Sequence, residues 1–143
     1  MPQFSATSKA RMATCDTRLQ AILNDAIEIV DFTVVVGHRN KEDQDKAVRE
    51  GKSQKPWPTG NHNSLPSRAV DIAPVYYDGT PGAKIDWNDL IAFGRVMGVV
   101  QACAHRRGIK LRFGLDWDGD FRSVNRDPDE SFLDAPHIEL VDP

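Results

Sequence analysis

The sequence predicts an α+β fold, with packed helices and a small, largely antiparallel sheet. Three observations point there. Stretches of helical periodicity and stretches of β-branched residues are interspersed, without the strand–helix–strand alternation of a parallel sheet. The chain has 143 residues, the size of one ordinary domain, and residues 1–143 read as a single unit with no linker or repeat. It is 40% hydrophobic and 27% charged, a balance that supports a folded core without cross-links.

The elements follow in order. "DTRLQAILNDAIEIV" places Leu19, Ile22, Leu23, Ala26 and Ile27 on one stripe, with Asp16 or Thr17 as the cap, so it reads as an amphipathic helix. "DFTVVVG" is β-branched and aromatic, a strand ending near Gly37. "NKEDQDKAVREG" reads as a short polar helix stopped at Gly51. "KSQKPWPTGNHNSLPS" is rich in Pro, Gly, Ser and Asn and reads as a long loop. "RAVDIAPVYY" is a second strand, and "YDGTPGAK" a turn region.

The longest helix is "DWNDLIAFGRVMGVVQACAHRRG", with Asp86 as its expected cap and Gly108 as its close. Gly94 and Gly98 inside it, four residues apart, suggest a close-packed face against the sheet. "IKLRFG" and "HIELV" supply a third and a fourth strand, joined by a long acidic loop, "LDWDGDFRSVNRDPDESFLDAP".

The formal net charge of −3 gives no basic field over the whole surface, which argues against nucleic acid or an anionic membrane as the main partner. The one basic run, "HRRGIKLR", suits a helix C-terminus. Cys15 and Cys103 lack any short metal or redox spacing and are expected to be free and partly buried, with a single disulfide between them as the alternative. No apolar run approaches the ~20 residues of a membrane span. "MPQFSATSKARMATCDTRLQ" has no basic start followed by an apolar core, so no secretory leader is expected.

Of four histidines, His105 belongs to the long helix, while His38, His62 and His137 flank strands or lie in loops. In "LDAPHIELV", Pro136 stiffens the approach to a strand opened by His137, and Asp134 stands three residues before it. In "GNHNSLPSRAVDIAP", Asp71 is a carboxylate in apolar company, with His62 upstream. Two imidazoles and one carboxylate are a common catalytic zinc set, and a further carboxylate can serve as general base. Asp134 is the candidate base. Glu139 is a rival, facing the way His137 faces only if the strand is regular.

The same residue types also fit a solvated loop histidine, a hydrogen-bonded Asp71 and a turn cap at Asp134. Arg39, after a strand and a glycine, could project into the same cleft or pair on the surface with Glu42 or Asp43. A calcium site at Asp116, Asp118 and Asp120 lacks the glutamate that completes an EF-hand loop, so a solvated loop is the better reading.

Five spaced blocks, "FTVVVGHRNKEDQDKAVREGKS", "HNSLPSRAVDIAP", "KIDWNDLIAF", "GIKLRFGLDWDGD" and "LDAPHIELV", together resemble the phage endolysins that are L-alanyl-D-glutamate peptidases. These are related to the zinc D-Ala-D-Ala carboxypeptidases and VanY/VanX-type enzymes. The resemblance spans Phe32 to Val141 and implies the small α+β fold shared with the Hedgehog signalling domain. It implies zinc held by His62, Asp71 and His137, with Asp134 as the catalytic acid/base and Arg39 as a catalytic and substrate-binding cation.

By the same resemblance, Gln44 and Ser53 are expected to orient substrate or the outer shell of the metal. His38 is expected to be a pocket residue or a substitute ligand. The span from His62 to Asp71 is nine positions, longer than the common family pattern, and Gly60 stands where that pattern has serine.

The function so implied is zinc-dependent hydrolysis of the L-Ala–D-Glu bond in the peptidoglycan stem peptide, lysing the host cell. The same ligands would serve a D,D-carboxypeptidase or D-Ala-D-Ala dipeptidase. A non-catalytic zinc-stabilised peptidoglycan-binding module is an alternative of a different class. The expected enzyme is a monomer without a separate wall-binding domain and without stable membrane insertion. It would accumulate in the host cytoplasm and reach the wall after release through the inner membrane.

Overall fold

The computed structural model describes residues 2–128 and 130–141. Its elements are α1 (Ala6–Met12), α2 (Thr17–Ile27), β1 (Phe32–Val36), α3 (Lys41–Arg49), β2 (Ala69–Pro74), α4 (Leu90–Arg106), β3 (Leu111–Phe113) and β4 (His137–Leu140). Short 3-10 turns cover Asn61–Asn63 and Val124–Arg126. The four strands form one antiparallel sheet in the order β1-β2-β4-β3. The α+β expectation therefore stands.

The alternation of β2 decides what lies where. Val70 and Ile72 point to the helices, joining Leu19, Ile22 and Leu23 of α2 with Phe93, Val96 and Val100 of α4 in one core. Asp71 points to the opposite face. β4 repeats the pattern, with Ile138 and Leu140 in the core and His137 and Glu139 on the other face. Asp71 and His137 are register partners across the β2–β4 pair, so their side chains stand side by side. A register shift between Val34 and Val36 sets Val36 against Asp71 and bends the end of β1 toward the same place.

Asp16 caps α2 by accepting the Arg18 N–H at 2.9 Å. Helix α4 starts later than expected. Asp89 caps it through the Ala92 N–H, whereas Asp86 closes a local turn onto Asn88. Its C-terminus ends as expected: Gly108 has φ +69°, and Ile109 donates back to the Ala104 carbonyl. Gly94 and Gly98 are exposed, with nothing near where a side chain would stand, so the close-packed face does not exist. Strand β2 stops at Pro74, and beyond it Tyr76 pairs only as a bridge with Lys84.

Helix α1 is an element that the apolar pattern does not announce. Its residues are mostly polar, and it is held by polar contacts to β1. Ser8 Oγ accepts the Val34 N–H at 3.0 Å, and Arg11 Nη1 donates to the Val34 carbonyl at 3.0 Å. These contacts satisfy backbone groups on the outer edge of β1, which would otherwise be open for pairing. The basic run at the end of α4 is a helix end, where Arg107 forks onto Asp25 at 2.6 and 3.0 Å. Both cysteines are free and buried, and burial pushes the Cys15 thiol up to about 11. Among the described residues, no helix is long and apolar enough to cross a membrane.

Candidate active site

Three buried side chains meet at the end of the sheet. His62, Asp71 and His137 are 4%, 8% and 7% exposed, so none is simply solvated. His62 Nε2 lies 3.0 Å from Asp71 Oδ1 and 3.3 Å from His137 Nδ1, and His137 Nδ1 lies 3.3 Å from Asp71 Oδ1. Their donor atoms thus form a small triangle. Tetrahedral zinc with bonds of about 2.0–2.1 Å needs donors roughly 3.3 Å apart. The donor types and spacings fit such an ion.

Each imidazole is oriented by its other nitrogen. His62 Nδ1 is 2.8 Å from the Gly37 carbonyl, which leaves Nε2 as the inward atom. His137 Nε2 is 2.7 Å from Glu139 Oε1, which leaves Nδ1 inward. The strand is therefore regular, and Glu139 faces the way His137 does. It sits behind the imidazole, on the side away from the triangle.

Asp134 lies on the inner side, with Oδ2 3.8 Å from His137 Nδ1. Its position depends on Gly114. The Asp134 N–H donates to the Gly114 carbonyl at 3.0 Å, and Gly114 donates to the His137 carbonyl at 2.9 Å. A Cβ at Gly114 would collide with the Asp134 carbonyl oxygen.

The electrostatics separate the carboxylates. Burial opposes ionisation of Asp71, but the His62 charge and the bonds from both imidazoles hold it well below the usual range. Burial, with the Asp71 charge beside it, pushes Asp134 up to about 6. Burial also works against a charge on Glu139, yet its bond to His137 keeps it low. For His137, burial works against protonation, but bonds to Asp71 and Glu139 raise it to about 9. Asp134 is thus the carboxylate with a proton affinity near neutrality, and Glu139 is held ionised as an orienting partner.

The loop that carries His62 is not loose. Arg39 N–H donates to the His62 carbonyl at 2.8 Å, and Asn63 Nδ2 donates to the Arg39 carbonyl at 3.1 Å. The longer span before Asp71 is taken up by Ser64–Arg68, where Ser67 is fully buried and bonds to the α1–α2 connection through Thr14 and Asp16.

Gln44, buried in α3, forms a hub. It accepts from Arg39 Nη1 at 3.1 Å and from Asn63 Nδ2 at 3.0 Å, and donates to Ser53 Oγ at 3.0 Å. Arg39 Nη2 lies 3.7 Å from Asp71 Oδ2, so its partners are Asp71 and Gln44 rather than Glu42 or Asp43.

A cavity of about 490 Å³ opens over the triangle. Arg39, Gln44, Ser53, His62, Asp134 and His137 all line it. His38 does not. Its Nδ1 lies 2.9 Å from the Ser64 carbonyl, and its N–H donates to the Thr14 hydroxyl at 2.8 Å. The expectation that His38 joins the pocket is corrected accordingly.

Trp117 and Phe132 stack on each other and close one wall, with Trp117 5.3 Å from the His137 ring. Trp117, Asn63 and the orienting role of Glu139 were not anticipated. The signal for Glu139 was present in the His137-x-Glu139 spacing on a strand. In the acidic loop, Asp116 accepts backbone N–H groups of Gly119, Asp120 and Phe121, and Glu130 accepts that of Asp118.

Residues 1–141 match the family model described as phage L-alanyl-D-glutamate peptidase. The L-alanyl-D-glutamate peptidase of Escherichia phage T5 is 34% identical over 143 residues, covering 97% of this chain and 98% of that protein. The crystal structure of Serratia marcescens L-Ala D-Glu endopeptidase ChiX superposes with a TM-score of 0.71 at 22% identity. That match covers 98% of this chain and 91% of the other, and it agrees with the fold described above.

Proposed function

The chain belongs to the phage L-alanyl-D-glutamate peptidase family, and on that premise we propose that it is an endolysin that cuts the L-Ala–D-Glu bond of the peptidoglycan stem peptide as a zinc metallopeptidase. The observation that carries the metal assignment is the buried triangle of His62 Nε2, Asp71 Oδ1 and His137 Nδ1. Three protein donors of this kind leave a position open, as a catalytic site requires and a closed structural site does not. Zinc held there supplies Lewis acidity and lowers the pKa of water to about 7.

The remaining chemistry belongs to the chain. Asp134 accepts the water proton at Oδ2 and returns it to the leaving amine. Its Oδ2, 3.8 Å from His137 Nδ1, stands beside the proposed metal position, where such a proton transfer has to occur. Arg39, fixed through Gln44, presents its guanidinium to the cavity and stabilises charge developing on the scissile carbonyl oxygen. Glu139 and the Gly37 carbonyl hold the two imidazoles in the required tautomers. Trp117 and Phe132 shield one side of the site from water. We place the enzyme's action at the cell wall, which it reaches after release through the inner membrane.

The test is digestion of purified sacculi, with mass spectrometry of the new termini. A new free N-terminal D-Glu, abolished by chelator, is expected. Release of D-Ala alone would reassign the enzyme as a D,D-carboxypeptidase.

A further inference from the structure

A glutamate inside a continuing peptide has one carboxyl joined to the next residue and one left free. Cleavage before that glutamate therefore brings an anion into the cavity, within a side chain's length of the cut amide. This step rests on the peptidase reading above. Among the described residues that line the cavity, four are cations, Arg39, Lys52, Lys55 and Arg112, beside three acids, Glu130, Asp134 and Glu139. Arg39, bonded to Gln44 and 3.7 Å from Asp71, is the cation assigned above to the scissile carbonyl oxygen. Lys52 Nζ lies 3.1 Å from Glu50.

Lys55 and Arg112 are placed differently: the site holds the backbone of Lys55, whose side chain is exposed, and the side chain of Arg112. The Lys55 carbonyl accepts from Gln44 Nε2 at 2.6 Å, and its N–H donates to Ser53 Oγ at 3.2 Å. Lys55 is thereby tied to the same glutamine that holds Arg39. Arg112 pairs in register with Glu139 across β3 and β4, and its Nη1 donates to Glu139 Oε2 at 3.3 Å. A guanidinium has five N–H donors, so one bond sets its orientation and leaves a fork for a second carboxylate. Both side chains line the same cavity as His62, Asp134 and His137. We propose that Lys55 and Arg112 form a carboxylate subsite that receives the free carboxylate of the substrate's glutamate.

The test compares two synthetic stem-peptide substrates that differ only in that free carboxylate, which is an acid in one and a primary amide in the other. The wild-type enzyme should favour the acid in kcat/KM by about tenfold or more, the scale of a charge-assisted contact. In the Lys55→Ala, Arg112→Gln double variant that ratio should fall at least about tenfold, toward one. Lys55→Ala alone, at an exposed side chain, should give an intermediate ratio without disturbing Glu139.

A wild-type enzyme that does not favour the acid would overturn the proposal. So would a double variant that slows both substrates equally or leaves the ratio unchanged. Activity that survives chelator would instead overturn the zinc reading, and the acid-to-amide ratio would still report on the subsite.

Discussion

Replacing Asp134 by asparagine should make the metal-free protein more stable and the enzyme far less active. Asparagine keeps the shape, and the turn is held by backbone bonds of residue 134 to Gly114 and His137, which the substitution leaves in place. What changes is charge. Asp134 has its carboxyl raised from 3.8 to about 6, by burial and by the Asp71 charge. The folded metal-free state therefore binds a proton that the unfolded state has lost between those pH values. Stability conferred by the acid form is complete below about 3.8 and falls as pH rises to about 6.

Above that window, the ionised carboxylate costs on the order of 2–3 kcal/mol. Asp134→Asn escapes that cost. At pH 8 the metal-free variant should melt several degrees higher, at roughly 4 °C per kcal/mol for a chain of this size. At pH 4 the two proteins should melt together. Hydrolysis should fall about 10²–10⁴-fold, the usual contribution of a general base, with zinc still bound. Calorimetry of the stripped proteins at both pH values, with sacculus turbidity as the activity assay, makes the comparison. Retained activity, or a variant less stable at pH 8, would refute the reasoning.

Other substitutions separate the roles around the site. Glu139→Ala removes the carboxylate behind His137 and should weaken zinc affinity about 10–100-fold in a chelator competition. Unchanged affinity would deny Glu139 its orienting role. His62→Ala should lose zinc in metal analysis, whereas His38→Ala, outside the cavity, should retain it. The reverse pattern would exchange the two assignments.

Zinc binding should also release a proton. Metal-free His137 has its pKa raised from 6.5 to about 9, against burial, by Asp71 and Glu139. Its contribution to the stability of the stripped protein is complete below about pH 6.5 and is lost as pH rises through 9. Between about pH 7 and 9, zinc affinity should rise close to tenfold per pH unit. Isothermal titration in buffers of different ionisation heat reads the proton directly, and a pH-independent affinity would contradict it.

The parts of the site that sit on strands were the most legible. Asp71 stands out because the neighbours at Val70 and Ile72 must face a core, which leaves the carboxylate on the other face. His137 follows because a strand opened after Pro136 pairs with β2 in that register. The polar scaffold was illegible. Helix α1 has no apolar stripe and depends on Ser8 and Arg11 meeting β1, a contact that no local pattern encodes. The Gln44 hub joins residues distant in the chain, so only the resemblance brought Gln44 and Ser53 into view.

The same limit explains the misplaced cap and the misread glycines. Asp86 and Asp89 are equivalent as cap types, and the start of α4 is decided by where Leu90 meets the core. Gly94 and Gly98 fall on the side of α4 away from Phe93, Val96 and Met97, so their spacing had no packing partner. His38 and His62 both follow loop or strand-end signals. Only the carbonyls of Gly37 and Ser64 decide which ring turns inward.

The central claim is that one zinc ion, held by His62, Asp71 and His137, drives cleavage before the glutamate. Zinc titrated into chelator-stripped protein, with release of N-terminal D-Glu from sacculi as the readout, tests it directly. Activity should be absent at the start and reach its plateau at one zinc per chain. Full activity in the stripped protein, or a plateau unrelated to zinc, would contradict the account.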